Sequence, residues 1–119
     1  MVVSRNFLNG GVEMAASMGT KLRDLRKKQN LTLDKLAELA SLSKSYLWEL
    51  ENRDSAKPSA EKLTAIADAL GVSTNYFMED DTREPEERHL DEAFFRGYQQ
   101  LEAPAKEQLR KILETFKKS

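Results

Sequence analysis

The stretch TLDKLAELASLSKSYLWELENR, residues 32–53, decides the fold of this chain. Its first half, residues 33–40, puts Leu36, Ala37 and Ala40 on one face at helical spacing. Its second half, residues 44–51, does the same with Leu47 and Leu50, and leaves Lys44, Ser45, Tyr46, Trp48 and Glu49 facing outward. A tight polar turn separates the two, with Thr32 and Ser43 as side-chain caps for the helices that follow them. Helices this short are marginal alone. Other parts of the chain must cover their apolar faces.

The neighbours on both sides supply that cover. Upstream, residues 20–29 place Leu22 and Leu25 on one face with Arg26 beside them, and turn Arg23, Lys27 and Lys28 outward. Asn30 then suits a helix end, because Asn tolerates the left-handed conformation found there. Downstream, Pro58 stops what precedes it and Ser59 caps a helix over residues 60–70 with Leu63, Ile66, Ala67 and Leu70 as its buried stripe. Gly71 ends that helix, and a last turn over residues 74–77 brings Tyr76 and Phe77 to close the core. Five helices in ~60 residues are enough for one small all-α core.

The rest of the chain flanks this unit. Residues 1–18 carry few structural signals beyond the breaker Asn9-Gly10-Gly11, and read as a flexible tail in which Met14 and Met18 are alternative starts. The folded unit is expected over residues 19–78, followed by an exposed acidic linker over 79–88 containing Pro85. Residues 89–119 read as a helical hairpin. One helix carries Leu90, Phe94, Tyr98 and Leu101 with Phe95 beside them; after Pro104 the other carries Leu109, Ile112, Leu113 and Phe116. Such a hairpin cannot bury those side chains by itself, and the proline-containing acidic linker argues against docking on the first unit. A second copy of the chain is the most economical cover. A different protein, as for an antitoxin or an antagonist-controlled regulator, is the alternative.

Composition excludes several classes. The 119 residues are 39% hydrophobic and 33% charged, which is globular composition. The chain has no cysteine, so disulfides and thiol chemistry are out. No apolar run approaches the ~18 residues of a membrane span, and no leader pattern is evident, so a cytoplasmic protein is expected. His89, the sole histidine, sits among carboxylates and reads as solvated. With no metal-ligand cluster and no glycine-rich phosphate loop, neither an enzyme nor a metal or other cofactor is expected. The net charge of −1 conceals a gradient: residues 19–78 are +2, residues 79–92 are −6, and residues 93–119 are +3.

A short capped helix with an exposed polar and aromatic face, set behind another short helix, is the arrangement that reads DNA in a helix-turn-helix. Three linked segments go further: LRDLRKKQNLTLDKLAELA, SLSKSYLWELENR and KPSAEKLTAIADALGVSTNYF. In this order they resemble the lambda-repressor/Cro-like, or XRE, family over about half the chain. The resemblance implies a five-helix lambda-repressor-like DNA-binding domain followed by the hairpin, and a sequence-specific transcriptional regulator, most often a dimeric repressor on a palindromic operator in double-stranded DNA. It implies an ion pair between Arg26 and Glu51, and base-reading positions at Lys44, Ser45 and Glu49 with Tyr46 and Trp48 flanking. It implies phosphate contacts at Thr32, Leu33 and Asn52, to which Ser43, Arg53 and Lys57 add polar or cationic groups. Chemically, Lys44 suits guanine O6/N7 and Glu49 suits cytosine N4. Trp48 has a second reading, half-buried against Tyr76 or a partner subunit. The chain departs from the family at Leu33, where Gln is frequent, and at Ser41 and Arg53, where Gly is frequent.

Overall fold

Four serine or threonine hydroxyls set where helices begin. Ser17, Thr32, Ser43 and Ser59 accept from the backbone N–H groups of Thr20, Lys35, Tyr46 and Lys62, at 3.0–3.2 Å. Each such cap stabilises a helix by roughly 1 kcal/mol. The computed structural model of the chain describes residues 17–53, 57–80 and 82–118, and among these residues it is all-helical. Its elements are α1 (Met18–Lys28), α2 (Leu33–Ala40), α3 (Lys44–Asn52), α4 (Ala60–Leu70), α5 (Thr74–Met78), α6 (Glu87–Gln99) and α7 (Ala103–Lys117). Most of the expected tail, residues 1–16, lies outside the described residues. Ser17 and Met18 do not belong to a tail: the first caps α1, and the second packs against the core.

Helices α1 to α5 enclose one core. Leu22, Leu36, Leu47, Leu50, Ile66, Val72 and Tyr76 are almost wholly buried there, one or more from every helix of the unit. Two chain reversals use left-handed backbone at non-glycine residues, Asn30 (φ 60°) and Ser41 (φ 57°). At Ser41 the cost of roughly 1–2 kcal/mol for a side chain in that conformation is offset locally. The Ser41 and Leu42 N–H groups donate to Glu38 O and Ala37 O and so satisfy the end of α2. Gly19 serves a different need. A Cβ there would lie 2.5 Å from Leu50 O and 3.0 Å from Glu51 O, so α1 and α3 meet backbone to backbone.

The segment after α5 keeps most of its charged residues exposed, but its histidine departs from the expected solvated placement. His89 is fully buried. Its Nδ1 accepts from the Glu86 N–H at 2.8 Å and its Nε2 lies 3.1 Å from Glu79 Oε1, so both ring nitrogens have partners. Its ring meets Tyr76 edge-on, and its carbonyl accepts from the Ser73 N–H. Arg88 forks onto the Glu79 carboxylate at 2.6 and 2.8 Å, the Tyr76 hydroxyl donates to Arg83 O, and Thr82 is buried. Lys21, itself buried, donates to Tyr76 O and Glu79 O at the C-terminal end of α5, where the helix dipole favours a cation. Glu79 is paired within the segment, with Arg88 and His89, while Asp80, Arg83, Glu84, Glu86 and Glu87 are exposed. That pairing folds the segment back onto α1 and α5.

The Arg88 guanidinium, helped by His89 and Thr82, holds the Glu79 carboxyl down to about 2. A carboxylate depressed in the folded state stabilises the fold above its unfolded value, and that contribution fades as pH falls through the folded one. Glu79→Gln should therefore lower the melting temperature by a constant amount above pH ~5, and the gap should close between pH ~4.3 and about 2. Paired thermal melts across that range check this; a gap that persists at pH ~2 would contradict it.

Candidate nucleic-acid interface

Helix α3 presents two unlike faces because its sequence alternates them at helical spacing. Leu47 and Leu50 enter the core, while Lys44, Ser45, Trp48, Glu49 and Asn52 form a continuous exposed stripe. The Ser43 cap begins the helix at Lys44, so the exposed stripe starts in its first turn. Trp48 is 48% exposed, whereas Tyr76 is buried against Phe77 and His89; packing of Trp48 on Tyr76 is not what the structure has. Tyr46 also departs from the expected outward placement. It is half-buried against the core, the Lys62 ammonium lies 4.5 Å from its ring centre, and burial raises its hydroxyl above the usual tyrosine range.

The attitude of α3 is fixed by Arg26. Its Nε and Nη2 donate to the two Glu51 oxygens at 2.7 and 3.0 Å, and its Nη1 donates to Leu31 O at 2.7 Å. One guanidinium thus ties the end of α3 to α1 and to the loop entering α2. Both side chains are largely buried, and Glu51 raises the Arg26 pKa further above its ordinary value.

The phosphate-facing candidates divide by atom. Thr32 and Ser43 spend their hydroxyls as caps. The Leu33 side chain packs against the core, so only its backbone N–H, at the start of α2, is suited to an anion. The Asn52 amide donates back to Trp48 O at 2.8 Å. Arg53 and Lys57 are exposed cations, with Arg53 4.0 Å from Glu49. Lys44 lies 3.4 Å from Asp34 across the turn. The two charged base-reading candidates, Lys44 and Glu49, therefore each rest against an opposite charge, and exchanging such exposed pairs for a ligand costs at most about 1 kcal/mol.

A second surface lies on the hairpin. Helices α6 and α7 are joined by residues 100–102 and diverge around an open cleft of about 450 Å³ lined by Phe94, Phe95, Tyr98, Leu109, Ile112, Leu113 and Phe116. Phe94, Ile112 and Phe116 are more than half exposed. Leu90 and Leu101, expected in the same stripe, are exposed but lie outside the lining. Lys106 and Arg110 cover the Tyr98 ring. Sequence reading missed His89 and Lys21, whose burial is a tertiary fact. One local signal was present, the three-residue spacing of Glu86 and His89 at a helix start.

Comparison with known proteins places these features in context. The Helix-turn-helix family model matches residues 22–77. The immunity repressor protein of Bacillus phage phi105 is 35% identical over 99 residues, covering 82% of this chain and 65% of that protein. The chain spans between about half and two thirds of the length of the curated relatives it matches. A crystal structure of SinR, the master regulator for biofilm formation, in complex with DNA is similar at a TM-score of 0.50 with 31% identity, covering 52% of this chain and 98% of that one. A SinR/SinI protein complex contains a chain similar in fold at a TM-score of 0.52 with 23% identity, covering 84% of this chain and 94% of that one.

The Arg26–Glu51 pair gives a direct test of how α3 is held. Arg26→Met should cost about 3–5 kcal/mol by leaving Glu51 buried and unpaired, while Arg26→Met with Glu51→Leu should recover most of that loss. Urea unfolding of the three proteins decides it. Equal losses in the single and double variants would contradict the account.

Proposed function

Residues 22–77 of this chain belong to the XRE-type helix-turn-helix family, and from that premise we propose that the protein is a dimeric, sequence-specific DNA-binding regulator of transcription, a repressor, that reads a palindromic operator. The observation that carries the reading is the exposed stripe on α3, held at a fixed angle by the forked Arg26–Glu51 pair. Placed in the major groove, Lys44 donates to guanine O6/N7, Glu49 accepts from cytosine N4, and Ser45 serves either base. Trp48 lies against thymine methyls or sugar. Tyr46, beneath Lys62, orients the helix rather than reading a base. Backbone N–H groups at the start of α2, with Arg53 and Lys57, hold phosphates. The crystal structure of the similar SinR in complex with DNA supports the DNA-binding part of this reading.

Two copies supply two reading helices about one helical turn apart, ~34 Å. The apolar cleft between α6 and α7 is the surface that joins them in this reading, since Phe94, Phe95, Ile112, Leu113 and Phe116 along it are each more than half exposed. A different protein with an apolar helix is the other occupant the cleft suits.

Lys44→Ala should weaken binding and change base preference at one position by about 1–3 kcal/mol. Arg53→Ala should weaken binding evenly across sequences and make it less dependent on salt. Titrations against a panel of single-base operator variants separate the two; uniform losses for both would remove Lys44 from base reading. On the hairpin, Ile112→Asp or Phe94→Asp should convert a dimer into a folded monomer in sedimentation. An unchanged chain that sediments as a monomer, yet binds DNA, would favour a different protein in the cleft.

A further inference from the structure

The first helix of the hairpin, α6, meets the first unit at two separate points. At the first turn of α6, His89 is buried against Tyr76 and bonded to Glu79, and Arg88 grips the same carboxylate through two nitrogens. Further along α6, Arg96 Nε lies 3.1 and 3.2 Å from the two Asp68 oxygens on α4. Seven residues separate His89 from Arg96, about 10 Å along the helix axis. The buried His89 holds the start of α6, and the half-exposed Arg96–Asp68 pair adds a weaker second restraint on its direction. The backbone adds a third restraint, because the Ser73 N–H at the start of α5 donates to His89 O.

Direction matters for a dimer on DNA. Each base pair added between two half-sites rotates one against the other by about 35° and moves it about 3.4 Å. Reading heads on flexible tethers absorb such changes. Heads whose helices are fixed to the dimerising hairpin do not. We propose that Glu79 with Arg88 and His89, and Asp68 with Arg96, form a rigid joint that aims α6 relative to α3 and so restricts the protein to one half-site spacing. The inference rests on the dimeric DNA-binding reading above, and makes these residues positioning residues that act without touching DNA.

The test has two arms. The chain lacks cysteine, so Lys35→Cys and Gln99→Cys introduce the only spin-label sites, one on α2 and one at the end of α6. With an excess of unlabelled protein, the distance distribution should be narrow, and it should broaden when Arg88→Ala and Arg96→Ala are combined. Both arginines are half exposed, so the core should persist. In the second arm, palindromes with the spacer lengthened or shortened by one and two base pairs are titrated. The unchanged protein should lose at least about tenfold in affinity for each one-pair change, while the double variant should bind neighbouring spacings within about threefold of one another. A broad distribution in the unchanged protein overturns the joint, whatever the DNA arm gives. A narrow distribution with equal affinity for all spacings overturns the spacing rule, and a narrow distribution without any preference for palindromes overturns the dimeric reading beneath it.

Discussion

The Arg26 guanidinium is the constraint on which the rest of the structure depends. It uses three nitrogens on three acceptors, two on Glu51 and one on Leu31, and those acceptors belong to the end of α3 and to the loop before α2. A hydrophobic core of small helices can be packed in several ways, because apolar contact has no direction. A planar, forked and largely buried ion pair has one good geometry. It selects the arrangement in which Leu36, Leu47 and Leu50 meet and the opposite stripe of α3 is left bare. Gly19 works alongside it, since any larger residue would push the end of α3 off α1. That placement leaves Lys44, Ser45, Trp48 and Glu49 exposed along one edge of α3, the edge proposed above to meet DNA.

Charge plays three distinct roles along the chain. In the core it is buried and paired, at Arg26 and Glu51. On the exposed face of α3 it is loosely paired, at Lys44 with Asp34 and at Glu49 with Arg53, and such pairs are inexpensive to exchange for a ligand. In the segment after α5 it is clustered into a network around Glu79 that includes Arg88, His89 and Thr82. The same residue types, read only as composition, would be assigned to one solvated surface.

That difference explains how much was legible in the sequence. Helix starts at Thr32, Ser43 and Ser59 and the left-handed Asn30 are local signals, written within three or four residues, and the structure has them where the sequence puts them. The apolar stripes of α2, α3 and α4 follow from periodicity, and the Arg26–Glu51 pair from family resemblance. Burial of His89 and Lys21 was not legible, because it depends on Tyr76 and on the end of α5 arriving from elsewhere in the chain. The half-burial of Tyr46 was not legible for a related reason: it depends on Lys62, sixteen residues further along the chain, arriving over its ring. The apolar residues of α6 and α7 were identified, yet sequence could not foresee that the two helices diverge around a cleft.

The central claim is that two fixed copies of α3 read one operator. Selection of bound fragments from a random double-stranded DNA pool at moderate salt tests it most directly. The expected result is an enriched palindrome whose half-site centres lie about one helical turn apart, ~34 Å. Enrichment of a single unrepeated motif, or of no motif, would contradict it.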